Sequence, residues 1–292
     1  MKHIFLMALL AAPILASAQK LPQPSPLGKV EQVVGLTTIK IEYSRPSTKG
    51  RAIFGDLVPY GEVWRTGANQ CTTIEFDTPI VFGGEKVPAG KYSLFTTPGK
   101  EVWVVMLNKN TELWGVDERK PEEDVLSVKV FPKPVAEPVE TLTFSFTLGD
   151  RDDAILNLNW ADVWVPITIT ADCTEQAMKN IEEALAKSDA KYGAYHGSAR
   201  FCLDRGVRLE EALKWASKSV SMEKKYWNTH TLARLNAANG KYAEAIAVAN
   251  ESMALAQAEK DAGYVKMNRD RIEEWTKLLP ATPAKAPAKT KK

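Results

Sequence analysis

The sequence predicts two domains of different class, an antiparallel β-sandwich followed by a helical domain. Three observations carry this reading. Between about residues 28 and 170, short segments alternate apolar with polar residues, separated by turn residues. From Thr174 to Leu279 apolar residues recur at three-to-four-residue spacing instead. Composition changes between the two at about Ala171, beyond which Ala, Glu, Lys and Leu dominate. A length of 292 residues accommodates two domains of ordinary size.

The first element is not part of either domain. Lys2 and His3 precede an apolar run from Ile4 to Leu15, and Ala16-Ser17-Ala18 supplies the small-x-small pattern of a cleavage site. This predicts a signal peptide over residues 1–18, cut after Ala18, and a mature protein in the periplasm or secreted. The run is too short to span a bilayer, which takes roughly 20 apolar residues, and no later stretch predicts a transmembrane segment. No Cys follows the run, which argues against a bacterial lipid anchor. Residues 19–27 are Pro-rich and predict an extended arm.

Residues 28–171 read as the sandwich. Ile39, Ile41 and Tyr43 alternate with Lys40 and Glu42, and Ile74 alternates with Phe76. Gly83-Gly84 marks a turn, and Pro88-Ala89-Gly90 turns into a strand over Lys91–Thr97. Val102–Leu107 is apolar throughout, the pattern of a central strand covered on both faces. A shorter strand contains Val128 and Val130. Pro132–Pro138 reads as a stiff connector. Leu142, Phe144, Phe146 and Leu148 form a further strand. Leu156, Leu158 and Trp160 form the next, and Val163, Val165, Ile167 and Ile169 follow. The total is about nine short strands with no helical stretch between them, which points to a sandwich or barrel.

Residues 172–280 contain an internal echo. Leu209-Glu210-Glu211-Ala212-Leu213 matches Tyr242-Ala243-Glu244-Ala245-Ile246 at an offset of 33, and Ala199-Arg200 matches Ala233-Arg234 at an offset of 34. Gly206 and Gly240 fall at the turns between. This period resembles tetratricopeptide repeats, with Ala212 and Ala245 as the small residues that let paired helices approach. The predicted architecture is therefore a β-sandwich followed by a tetratricopeptide-like helical domain, ending in a disordered Lys/Pro/Ala tail over residues 281–292.

Charge excludes one large class of function. The chain carries 38 basic and 36 acidic residues. Setting aside Lys2 and the four tail lysines leaves 33 basic against 36 acidic residues, the reverse of a nucleic-acid-binding body. Cys71, Cys173 and Cys202 are odd in number, so at least one lies outside any intrachain bridge. Two arrangements stay open: Cys173 bridged to Cys202, or three buried thiols.

Candidate chemistry is sparse. After Ala18 only His196 and His230 remain, both in the helical part, with no zinc-protease motif, no Ser-His-Asp pattern in the β domain and no phosphate loop. No metal site and no cofactor are expected. Asp150, Asp152 and Asp153 cluster beside Gly149 in a hairpin turn, where Asp is favoured for backbone reasons. The densest polar signal lies between Tyr43 and Asn69, with Tyr43, Arg45, Arg51, Trp64, Arg65 and Asn69 as candidate ligand-binding residues. Arg offers a planar donor fork for carboxylate or phosphate, and Trp64 or Tyr60 could stack on a ring. The same residues could instead tie down a long connection through loop carbonyls.

Four motifs in order resemble a known family. They are Tyr43-Ser44-Arg45-Pro46, Gly61–Asn69, Pro88–Phe95 and Trp114-Gly115. Together they resemble a family of exported bacterial proteins catalogued as a domain of unknown function, over roughly residues 24–170. The resemblance implies export and a β domain and implies no reaction. Members commonly carry Asp-Val-Leu-Arg where this chain has Asp124-Val125-Leu126-Ser127, and a small residue where it has Cys71. Two functions follow as expectations. One is an exported binding or scaffolding protein, with a small polar ligand on the β domain and a protein or peptide partner on the helical repeats. The other is a cell-envelope hydrolase that uses carboxylate or Tyr chemistry without His.

Overall fold

The computed structural model describes residues 21–279. The expected signal peptide and Lys-rich tail lie outside the described residues. The chain divides into two compact units between Cys173 and Thr174.

The first unit holds two antiparallel sheets. The larger one runs in the order β1 (Leu27–Val34), β2 (Thr37–Ser44), β3 (Ala68–Phe76), β6 (Gly90–Thr97), β7 (Trp103–Asn108) and β8 (Asp124–Val130). The smaller runs β5 (Glu85–Val87), β4 (Ile80–Phe82), β10 (Asp153–Thr170) and β9 (Lys133–Leu148). One core joins them. Ile41, Ile74, Leu94 and Val105 of the larger sheet share it with Phe144, Leu156, Leu158 and Ile167 of the smaller. Alternation explains the burial: Ile39, Ile41 and Tyr43 are buried while Lys40 between them is exposed. On β7, Trp103, Val105 and Leu107 enter this core. Val104 and Met106 point the other way and pack with Leu113, Cys71, Phe95 and Val63. The strand is therefore covered on both faces, as its unbroken apolar run predicts.

Two expectations for the sandwich need correction. The segment Pro132–Pro138 is not a connector, because β9 already begins at Lys133, with Pro134 opposite Val163 and Lys133 opposite Trp164. β9 is an edge strand, so a residue without an N–H can face away from the ladder at no cost in pairing. Residues 156–160 and 163–169 are one strand, β10, not two. Buried side chains fall at Leu156, Leu158 and Trp160 and then at Val165, Ile167 and Ile169. That is a change of phase by one residue. The extra residue is taken up at Ala161, at φ 51°, where the register with β9 shifts.

The second unit contains α1 (Thr174–Leu185), α2 (Tyr192–Arg205), α3 (Leu209–Met222), α4 (Tyr226–Ala238), α5 (Tyr242–Ala258) and α6 (Ala262–Thr276). The echo in the sequence has a matching echo in the bonding. Ser219 Oγ on α3 donates to the Tyr192 carbonyl at 2.9 Å, and Ser252 Oγ on α5 donates to the Tyr226 carbonyl at 2.7 Å. A second bond runs between successive helices of one kind. His196 on α2 meets Thr231 on α4 at 3.1 Å, and His230 on α4 meets Asn268 on α6 at 2.8 Å. Ala199, Ala212, Ala233 and Ala245 are fully buried where the helices pack. Gly206 at φ 69° closes α2 in the left-handed conformation that glycine adopts without strain.

All three cysteines are buried and none forms a disulfide. Of the two arrangements the sequence left open, the three thiols are the one present.

Candidate functional site

The chain between β2 and β3 is tied to both sheets. Its first part is fastened to the edge strand β9. Arg45 Nε donates to the Leu142 carbonyl at 3.1 Å and its Nη2 to Thr143 Oγ1 at 3.0 Å. Ser47 pairs with Thr141 as an isolated bridge. The Glu140 carboxylate accepts from Lys49 N at 2.9 Å and from the Thr48 hydroxyl. These two bonds, the hydroxyl first, hold the Glu140 carboxyl below the usual carboxylate range.

The second part is pinned to the larger sheet. Trp64 exchanges backbone bonds with Thr96 at 2.7 and 2.9 Å. Thr66 is fully buried, and its carbonyl accepts from Thr72 Oγ1 at 2.8 Å. Gly67 passes so close to Ser44 that an added Cβ would stand 3.1 Å from the Ser44 carbonyl oxygen. Asn69 adopts φ 57°, and its amide donates to the Ser25 carbonyl at 3.2 Å and Ser44 Oγ at 3.3 Å. The backbone on either side of Arg65 is thus fixed.

A cleft of about 370 Å³ opens beside this segment, lined by Leu57, Val58, Glu62, Arg65, Val116 and Trp160 among others. That volume lies within the usual range for small-molecule sites. Its walls include Trp64 and Trp160, stacked at 5.6 Å and 20°, and Phe54 meets both rings edge-on. Trp64 Nε1–H is already committed to the Gly67 carbonyl at 3.0 Å.

The six candidate residues separate here. Arg51, Trp64 and Arg65 line the cleft; Tyr43, Arg45 and Asn69 do not. Tyr43 is a core residue, 2% exposed, whose hydroxyl accepts from Phe144 N at 3.0 Å. Arg45 and Asn69 tie the connection down, as described above. Arg51 does both jobs: it lines the cleft, while Nε and Nη2 donate to the carbonyls of Thr48 and Ser47 at 2.9 and 2.7 Å.

Arg65 is different. Among the described residues its side chain makes no ion pair and no hydrogen bond, and its Nε is buried without a partner. Glu62 also lines the cleft but forms no ion pair with it. Arg65 lies close enough to Cys71 to act on it electrostatically. Burial pushes the Cys71 thiol up, and the guanidinium draws it partly back.

The sequence reading missed several contributors. Trp160 was legible only as a strand residue, yet it forms part of the cleft wall. Its signal was the phase change in the strand that carries it, because bulges re-aim neighbouring side chains. Arg119 was also missed. It pairs with Asp124, lies 5.4 Å over the Phe95 ring and so fastens the loop that carries Val116. Ser127, where the resembled family has Arg, is exposed opposite Met106 and is not part of the cleft lining. Cys71 is a packing residue beside Phe95 and Leu113. Asp152 sits in the β9–β10 turn, and its carboxylate accepts from Cys173 N at 3.3 Å. Among the described residues no group of three or more His, Cys, Asp or Glu is placed to hold a metal ion.

Comparison with known families falls on this same unit. Residues 25–169 match the model of a protein of unknown function, DUF2911. The DUF2911 match spans both sheets and every residue of the cleft, and it stops short of the six helices. No curated protein and no solved structure matches the chain.

Proposed function

We propose that this is an exported binding protein whose β unit takes a small anionic ligand in the cleft at Arg65. One observation carries the reading: a guanidinium with a buried Nε and no internal anion stands on a fixed backbone, in a cleft of ligand size. The residue is only half-buried and its terminal Nη groups are not enclosed, so an incoming carboxylate or phosphate could pair with a guanidinium that has no other anion. Export rests on the pattern of residues 1–18. The helical unit is read as tetratricopeptide-like, supported by the 33–34-residue echo and the repeated serine-to-tyrosine-carbonyl bond. Such arrays present extended surfaces, and a protein or peptide partner is the occupant proposed for this one.

Thermal-shift titration of the mature protein with a panel of organic and inorganic anions tests the cleft. A saturable rise in melting temperature that disappears in Arg65→Ala supports the site. A rise of equal size in Arg65→Ala excludes it. Export is tested by the intact mass of the protein recovered from an expressing Gram-negative host. The expected N-terminus is Gln19, and a chain that retains Met1–Ala18 in the cytoplasm would refute export.

A further inference from the structure

We infer that the ligand of the Arg65 cleft is a small organic acid: one carboxylate on a compact apolar body. This rests on the anion-binding reading above and narrows its chemistry. Two features of the cleft decide it, the number of free donors and the character of the walls.

The donors are few. Trp64 Nε1 is taken by the Gly67 carbonyl, and Arg51 has already spent Nε and Nη2 on the Ser47 and Thr48 carbonyls. Arg51 keeps Nη1, but on an exposed side chain bound back to its own loop; the guanidinium with no bond of its own is Arg65, whose two Nη groups fit the two oxygens of a carboxylate. A phosphate or sulfate presents more acceptors than this fork can satisfy, and the unmet ones would lie against apolar wall. Arg51 and Arg65 against Glu62 leave the lining one net positive charge, which suits a monoanion better than a dianion.

The walls are mostly apolar. Leu57, Val58, Pro59, Val63 and Val116 line the cleft together with Trp64 and Trp160, whose rings stack. A purely hydrophilic anion would leave that surface without a partner. A planar or branched hydrocarbon group would cover it, and withdrawal of water would strengthen the charge pair at Arg65. The hydrogen bonds that fix Trp64, Thr66 and Asn69 mean that little ordering is left for the moment of binding.

Isothermal calorimetry of the full mature protein tests this with four probes: benzoate, acetate, inorganic phosphate and benzyl alcohol. Benzoate is expected to bind at least ten-fold more tightly than each of the other three, with a negative heat-capacity change that marks apolar burial. Arg65→Gln is expected to weaken benzoate at least ten-fold and leave benzyl alcohol unchanged. If phosphate or acetate binds as tightly as benzoate and Arg65→Gln abolishes both, the apolar body is wrong and the anion site stands. If no probe binds, or Arg65→Gln changes nothing, both readings fall. Should Arg65→Gln fold poorly, Arg65→Lys keeps the charge and loses the fork. Undiminished benzoate affinity in that variant would overturn the bidentate carboxylate assignment.

Discussion

Arg45 and Arg65 present the same chemistry in neighbouring motifs, and the protein uses them differently. Arg45 spends its donors on Leu142 and Thr143. Arg65 spends none inside the described protein. Arg45→Ala therefore removes two tertiary bonds and leaves the Leu142 carbonyl unmet, and is expected to cost about 1–3 kcal/mol, read from the urea midpoint. Arg65→Ala is expected to change stability by no more than about 0.5 kcal/mol, as at a site without partners. Equal losses in the two variants would show that Arg65 has an internal structural partner. The same contrast explains why only half the candidate residues line the cleft. Residue type marks Arg and Asn as polar ties or ligand contacts alike, and only the identity of the acceptor separates the two.

At the scale of elements, the connection from Arg45 to Asn69 behaves as a frame. Gly67 is its tightest point, because an added Cβ would stand 3.0 Å from Thr72 Oγ1 and 3.1 Å from the Ser44 carbonyl oxygen. Gly67→Ala is expected to cost about 1–3 kcal/mol through forced backbone movement. It should also weaken any ligand held by Arg65, checked by the titrations above. The helices carry a different device. His230 donates from Nδ1 to Asn268 Oδ1, a role fixed because the Asn268 amide is already donating to Ser252 and Tyr264. Burial is the first cause that pushes both His196 and His230 below the ordinary imidazole range. Arg200 adds to this at His196. At His230 the Asn268 bond opposes it, and Arg234 and Arg271 add to it. The folded helices thus take up these protons less readily than the unfolded chain. Their contribution is complete above the unfolded value of about 6.5 and declines as pH falls from there toward the lowered folded values. Melting followed at 222 nm should show lower stability at pH 5 than at pH 7.5. A His196→Gln/His230→Gln variant should show a flatter dependence over that interval, and an unaltered slope would remove the histidines as the cause.

At the scale of the whole molecule, each unit has apolar clusters of its own. One set joins the two sheets and covers the outer face of β7. Another joins α2, α3 and α4, and a further one joins α4, α5 and α6. A fragment ending at Cys173 is expected to give a sheet-type circular dichroism spectrum, and a fragment of residues 174–279 a helical one. A strongly helical spectrum from the first fragment would contradict the division. By itself the sequence determined the classes of the two units and their order. Periodicities of two and of three to four residues are imposed by which side chains must leave water, and that constraint is local. It also held the bulge at Ala161, as a change of phase between Trp160 and Val165, although the bulge looks like a break until β9 is set beside it. Only the tertiary structure decided that Pro134 lies in an edge strand, that the cysteines stay unbridged, and that Trp160 joins Trp64 and Arg65 around one cleft. Those facts depend on partners distant in the chain, and a cleft is made of what neighbouring elements leave uncovered.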